Sequence, residues 1–97
     1  MIDYDLSRRA VRDIELAQDW YDGKSIQLEF FDDVLLSIRA ARQHPLRYPE
    51  VEPGVRGVRC GRFPYRIYYE VRANKIMIRA VYHTSRDPKL WDDPNRQ

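Results

Sequence analysis

The sequence predicts an α+β domain of order β-α-α-β-β-β, in which an N-terminal helical hairpin packs on one face of a mostly antiparallel sheet. Two patterns support this class. Apolar residues recur at three- and four-residue steps through residues 8–43, which is typical of amphipathic helices. Segments rich in Val, Ile and Tyr then fill residues 55–83, which is typical of strands. With 97 residues, the chain fits one domain spanning residues 1–97.

The N-terminal half is predicted to hold one strand and two helices. Residues 2–6 alternate between apolar and acidic side chains, which indicates a half-exposed strand, and Ser7 can cap the helix that follows. The sequence Asp22-Gly23-Lys24 ends this helix. Ser25 is the predicted cap of the second helix, which ends near Gln43. The predicted buried positions of the second helix are Leu28, Phe31, Val34, Leu35, Ile38 and Ala41.

The C-terminal half is predicted to form three strands after a connecting loop. Residues 44–54 contain three prolines and one glycine, which favours a loop over a regular element. Ala73-Asn74 is short enough to join the last two strands in an antiparallel hairpin. The predicted strands are Val55–Phe63, Tyr65–Arg72 and Lys75–His83.

Charge is distributed very unevenly along the chain. Residues 1–54 carry seven basic and eleven acidic side chains, a net charge of −4, whereas residues 55–86 carry eight basic side chains against Glu70 alone, a net charge of +7. Residues 87–97 have a net charge of −1 and are predicted to be irregular around an anchoring Trp91. A sheet with this surplus of arginine repels itself unless a partner neutralises it, so the basic half is a predicted binding surface for a polyanion.

Period-two alternation divides the strand residues between the two faces of the sheet. Residues predicted to face the helices are Val58, Cys60, Ile67, Tyr69, Val71, Ile76, Ile78, Ala80 and Tyr82. Residues predicted on the opposite, open face are Arg59, Arg66, Tyr68, Glu70, Met77, Arg79, Val81 and His83. Gly57 and Gly61 flank Arg59 and are predicted to leave room for a ligand. The expected site is therefore an open groove lined by Arg59, Arg66, Tyr68, Arg79 and His83, with Arg86 just beyond its end.

Composition and the N-terminal residues favour a protein that is neither membrane-inserted nor secreted. No segment approaches the roughly 18 apolar residues of a membrane span, and the N-terminus lacks the apolar run of a secretory signal. One cysteine, Cys60, fits a reducing cytoplasm, and its spacing from His44 and His83 does not suit a zinc site, so we predict no metal and no cofactor. On charge alone, a solvated basic face and a non-enzymatic nucleic-acid-binding module both stay open as alternatives.

The assembled motifs resemble the RelE/ParE superfamily, toxins of bacterial type II toxin–antitoxin modules that include plasmid-stabilisation proteins. The resemblance covers nearly the whole chain. It rests on the element order, the HPLRYP segment after the second helix, the block RCGRFPYRIYYEV and the ending IMIRAVYHTSRDPKLW. It implies a cytoplasmic, growth-inhibiting protein that is held inactive by an antitoxin, whose acidic C-terminal segment wraps around the toxin.

The superfamily contains two mechanisms, and the resemblance leaves both open. RelE-like members are metal-independent endoribonucleases that cleave messenger RNA on the ribosome. Arg59, Arg66 and Arg86 resemble the basic residues of their catalytic groove, His83 could be the base, and Trp91 could stack on a nucleotide. ParE-like members instead poison DNA gyrase by binding it. RelE-like nucleases usually place a tyrosine or histidine near the chain end, and this tail, DPKLWDDPNRQ, has neither, which favours the gyrase-type action.

The resemblance also implies that the same basic surface binds the antitoxin or the target. The antitoxin is expected to place carboxylates opposite the arginines of the sheet. The predicted binding residues are Arg59, Arg66, Tyr68, Arg79, Arg86 and Trp91.

Overall fold

The computed structural model describes residues 1–85. Two helices, α1 (Arg8–Trp20) and α2 (Lys24–Gln43), lie against one face of a five-stranded sheet. The strand order is β1-β5-β4-β3-β2, with β1 parallel to β5 and every other pair antiparallel. This confirms the predicted α+β class. The strands are β1 (Asp3–Leu6), β2 (Glu50–Glu52), β3 (Val55–Arg59), β4 (Tyr65–Arg72) and β5 (Lys75–His83).

The extent of the strands differs from the prediction in two places. The short strand β2 lies inside the stretch predicted to be a loop and pairs irregularly with β3. The sequence did not indicate it, because it is three residues long and lies between the prolines at 49 and 53. The strand predicted to run to Phe63 ends at Arg59, because the chain from Gly61 to Phe63 turns towards α2. Arg86, Trp91 and the predicted irregular tail lie outside the described residues.

The start of α1 is fixed to the sheet by its cap. Ser7 Oγ accepts a hydrogen bond from the Ala10 amide at 3.0 Å and donates one to the Arg79 carbonyl at 3.0 Å, which confirms Ser7 as the N-cap. The predicted cap of α2 is wrong. That helix begins at Lys24 after Gly23, whose φ of 110° favours glycine, so Ser25 already lies in the first turn.

The main core lies between the helices and the sheet. Phe30 is central to it, with ring centroids 5.5 Å from Phe63 and 5.1 Å from Tyr65. The predicted buried stripe of α2 is correct at its C-terminal half, but Leu28, Phe31 and Leu35 are exposed. Apolar residues occupy more than one side of this helix, so periodicity alone did not identify the buried side. The buried residues are Phe30, Asp33, Val34, Ser37, Ile38 and Ala41.

A β-bulge in β5 reverses the face assignment for the end of that strand. Tyr68 pairs with Ala80 and Tyr69 pairs with Ile78, so Arg79 is an extra residue. Beyond it, Val81 belongs to the main core, whereas Ala80 and Tyr82 belong to a second cluster on the open face. The predicted orientations of Ala80, Val81, Tyr82 and His83 are therefore wrong, because uniform alternation takes no account of a bulge.

The open face is covered at its centre by the second cluster. Tyr68 packs edge-to-face on Tyr82, with ring centroids 5.7 Å apart, beside Val55 and the partly buried Val51. Gly57 pairs directly with Tyr68 across β3 and β4. Side chains of the protein thus crowd the position of a Cβ at residue 57, so Gly57 leaves less room for a ligand than expected.

We expect Gly57→Ala to destabilise the fold by about 1–3 kcal/mol, through overpacking. A Cβ atom there would lie 3.2 Å from Arg66 Cδ and 3.3 Å from both Tyr68 Cε1 and Val51 Cγ1. Gly61→Ala is the matched control, since its nearest neighbour would be Asp33 Oδ1 at an ordinary 3.5 Å. Chemical denaturation of both variants measures the difference, and equal stability would contradict this packing.

Candidate binding face of the sheet

Four side chains form a row across the open face, perpendicular to the strands. Arg59 of β3 pairs with Arg66 of β4, and Arg66 pairs with Tyr82 of β5. Neighbouring strands are about 4.8 Å apart, so these three side chains leave the sheet side by side. Arg9 of α1 completes the row, because its guanidinium hydrogen-bonds the Tyr82 hydroxyl and lies 5.1 Å from the ring centroid. We call Arg9, Tyr82, Arg66 and Arg59 the arginine row.

Arg9 reaches the open face because α1 lies along the edge of β5 beyond the point where its pairing with β1 ends. The Ser7 amide donates to the Ile78 carbonyl at 2.9 Å, and the Val81 amide donates to Asp13 Oδ2 at 3.0 Å. These bonds satisfy the β5 edge and place the first turn of α1 beside Tyr82. Sequence reasoning missed Arg9, since helical periodicity assigns it to the solvent side and gives no information about the neighbouring strand.

Charge on the open face is concentrated in the arginine row. Arg79 and Arg72 share the carboxylate of Glu70, with Arg79 Nε 3.5 Å from Oε2 and the Arg72 guanidinium 2.9 Å from Oε1, so both are partly compensated. By contrast, Arg59 and Arg66 have no ion pair with any carboxylate of residues 1–85. The sheet therefore presents uncompensated positive charge at the arginine row, a suitable arrangement for carboxylate or phosphate groups.

A groove of about 810 Å³ continues from the arginine row around the edge of β3 towards α2. Its apolar surface is formed partly by Leu36, which is 64% exposed, and Ala40 on the helix side. Arg59, Arg62 and Arg66 line the basic side. The combination of apolar surface and arginines suits a partner segment that carries both apolar and acidic side chains. The other lining residues are Asp33, Ser37, Tyr48, Pro49, Gly57, Val58 and Gly61.

Asp33 fixes the turn from which these arginines extend. Its carboxylate is buried under the β3–β4 connection and accepts three backbone hydrogen bonds, from Gly61 at 3.2 Å, Arg62 at 3.0 Å and Phe63 at 2.8 Å. Three convergent amides supply the hydrogen bonds that a buried carboxylate needs. Sequence reasoning missed Asp33, although it recurs with Phe30 and Ser37 on one side of α2.

The structure does not bring all of the predicted site residues together. Arg59, Arg66 and Arg79 lie on the open face as predicted. Tyr68 lies there too, but it is only 2% exposed and packs on Tyr82, so it is not available for stacking on a base.

His83 lies on the opposite face of the sheet, beyond the bulge. Its ring packs edge-to-face on Tyr65 of the main core at 5.3 Å between centroids. The Ser85 amide donates to His83 Nδ1 at 3.1 Å, which in the neutral ring leaves the proton on Nε2. The predicted placement of His83 beside Arg59 and Arg66 is therefore wrong, because the bulge at Arg79 turns the His83 side chain to the other face of the sheet.

Two perturbed titratable groups belong to the core rather than to the open face. Burial is the main cause that raises the pKa of the Cys60 thiol, which therefore stays protonated and poorly nucleophilic. Burial also raises the pKa of Tyr69 to about 12, and its hydroxyl donates to the Pro45 carbonyl at 2.7 Å. Within residues 1–85, no group of three or more His, Cys, Asp or Glu side chains is arranged to hold a metal ion. Neither described helix is long and apolar enough to cross a membrane.

Comparison with known protein families assigns this chain to one of them. A family model described as the ParE toxin of the type II toxin–antitoxin system parDE matches residues 4–88, which is most of the chain. The chain belongs to the ParE toxin family. This ParE-family chain is thus the toxin component of a type II system, as the sequence motifs implied. Among curated proteins, no sequence matches significantly.

Solved structures support the same fold. A chain of the chromosomal ParDE toxin–antitoxin system from P. aeruginosa is 22% identical, with a TM-score of 0.75 over 86% of this chain and 96% of that one. The isolated E. coli RelE toxin is 13% identical, with a TM-score of 0.58 over 99% and 98% of the two chains. A chain of the intact E. coli RelBE toxin–antitoxin complex is 13% identical, with a TM-score of 0.58 over 89% of this chain and 100% of that one. The RelE likeness is therefore more distant than the ParDE likeness.

Proposed function

We propose that this ParE-family toxin arrests growth by binding DNA gyrase, without cleaving RNA, until its antitoxin covers the arginine row. The observation that carries the proposal is the separation of His83 from Arg59 and Arg66 by the thickness of the sheet. The positive charge and the candidate base thus lie on opposite faces. A surface that only binds an anionic partner needs the positive charge and does not need the base.

The chemistry of RNA cleavage explains why this separation matters. Metal-independent cleavage requires a base to deprotonate the 2′-hydroxyl, positive charge to stabilise the phosphorane-like state, and an acid to protonate the leaving 5′-oxygen. The arginine row supplies positive charge. The phenols of Tyr68 and Tyr82 lie on that face but are buried, at 2% and 1% exposure, and His83 is on the other side. Within residues 1–85, no histidine lines the groove that Arg59 and Arg66 line, and its titratable groups besides arginine are the half-buried phenol of Tyr48 and the buried Asp33, which already accepts three amides.

An antitoxin is the natural occupant of the basic face. The family and its structural relatives support an antitoxin partner, and we propose that the two proteins meet in the cytoplasm. We propose further that the bound antitoxin segment places carboxylates on Arg59 and Arg66, and apolar side chains in the groove beside Leu36. Opposite charge would give fast and specific association, and the apolar contact would add affinity.

The proposal predicts that His83→Ala remains toxic. Expressed without antitoxin, the wild type and this variant should both arrest growth, induce a DNA-damage response and leave transcripts intact, since no step uses the imidazole. Transcript integrity at the arresting dose is read by mapping RNA 5′ ends. Ribosome-dependent cuts that disappear in His83→Ala or Arg66→Ala would overturn the proposal and favour the mRNA interferase mechanism.

A further inference from the structure

The outer side of α1 carries a large exposed aromatic ring that neither the core nor the arginine row uses. Trp20, in the last turn of the helix, is 81% exposed, and Leu16 one turn earlier is 56% exposed. Exposed apolar side chains of this size often mark interaction sites when they stand beside a concave surface. Here such a surface adjoins them, on the face of the sheet opposite to the arginine row.

The concave surface is a small hollow of about 150 Å³ between α1 and the end of β5. Tyr65 and His83 form one aromatic wall, with their rings packed edge-to-face. Asp13 contributes a carboxylate, of which Oδ2 accepts the Val81 amide. The residues that line the hollow are Asp13, Leu16, Ala17, Trp20, Tyr65, Val81 and His83.

Carboxylates lie near Leu16 and Trp20 along α1, one in the hollow and two in the groove that adjoins it. Glu15 and Asp19 are exposed on α1 and line the adjoining groove with Leu16, and neither forms an ion pair within residues 1–85. Arg12 lines the adjoining groove with both of them, so with Asp13 this side of the helix has three carboxylates and one guanidinium. We call Asp13, Glu15, Leu16, Asp19 and Trp20 the Trp20 patch.

We propose that the Trp20 patch docks a basic segment of a partner protein. An arginine or lysine side chain of that segment would lie over the Trp20 ring by a cation–π contact, and its other basic side chains would pair with the carboxylates of the adjoining groove. The sign of the charge selects the occupant, because nucleic acid, an anionic membrane and an acidic antitoxin segment would all be repelled here. The inference does not depend on the identity of the toxin's target. It assigns opposite faces of one small domain to partners of opposite charge.

The test uses the fluorescence of Trp20 in the full chain carrying Trp91→Phe, so that Trp20 is the one tryptophan. The probes are a nine-residue peptide of alternating arginine and glycine and its glutamate counterpart, at low ionic strength. We expect the arginine peptide to shift Trp20 emission saturably, and the glutamate peptide to leave it unchanged. Raising the salt concentration should weaken the arginine-peptide binding.

The charge-neutral double variant Glu15→Gln/Asp19→Asn should bind the arginine peptide at least fivefold more weakly. Asp3→Asn/Asp32→Asn makes the same change in net charge at two exposed positions outside the patch, so it is the matched control and should stay within twofold of the parent. Far-ultraviolet circular dichroism checks that each variant is folded. Equal responses to both peptides, an absent response, or unchanged affinity in the Glu15/Asp19 variant would overturn the proposal.

Discussion

Replacing Asp33 with alanine is expected to lower the free energy of unfolding by about 3 kcal/mol, a large part of the roughly 5–15 kcal/mol that stabilises a typical domain. The substitution removes the acceptor for the amides of Gly61, Arg62 and Phe63. The Phe63 amide would remain buried without a partner. Because the β3–β4 connection then loses its anchor on α2, the arginines on either side of it should become more mobile.

Asp32→Ala is the matched control, since Asp32 has the same side chain in the same helix but is exposed. We expect a change within about 0.5 kcal/mol for this variant. Asp33→Asn should be intermediate, because the amide keeps one acceptor oxygen and presents NH₂ donors to backbone donors. Urea denaturation of the three variants measures the series. If Asp33→Ala were no less stable than Asp32→Ala, the carboxylate would not hold the turn.

Reversing the charge of both central arginines should weaken antitoxin binding by about 100-fold or more, which corresponds to about 2.7 kcal/mol. Arg59 and Arg66 pair directly across β3 and β4 and lack carboxylate partners within residues 1–85. In Arg59→Glu/Arg66→Glu, attraction to an acidic antitoxin segment becomes repulsion at two adjacent points. Calorimetry or surface plasmon resonance with the purified antitoxin measures the affinity.

Lys24→Glu/Arg39→Glu makes the same change in net charge at two exposed positions of α2. This control should lose less than tenfold in affinity, through long-range repulsion alone. Thermal unfolding of both double variants separates loss of binding from loss of fold. Similar affinity losses in the two variants would show that the antitoxin responds to net charge rather than to the arginine row.

The sequence was sufficient to predict the fold class and the central arginines. Alternation holds through β3 and β4, so Arg59 and Arg66 were placed correctly on the open face. It fails in β5 at Arg79, because nothing in an apolar strand sequence marks where an extra residue enters the ladder. Because of that extra residue, His83 lies away from the arginines, which favours the binding mechanism over RNA cleavage.

Arg9 and Asp33 could not be predicted because their roles depend on tertiary packing. Arg9 belongs to the open face because α1 follows the edge of β5, through contacts between residues 68 and 73 positions apart. Asp33 is a charged residue on the buried side of a helix, and a general rule places charges outside. Its burial is explained by three amides of a turn almost thirty residues later.

Purified gyrase gives the most direct test of the central claim, that this ParE-family toxin acts by binding its target without chemistry of its own. We expect the toxin to inhibit DNA supercoiling in a dose-dependent manner, and added antitoxin to restore it. Arg72→Glu toxin, altered outside the arginine row, should inhibit like the wild type. Unaffected supercoiling at toxin concentrations that arrest growth, with ribosome-bound messenger RNA cut by the same preparation, would contradict the account.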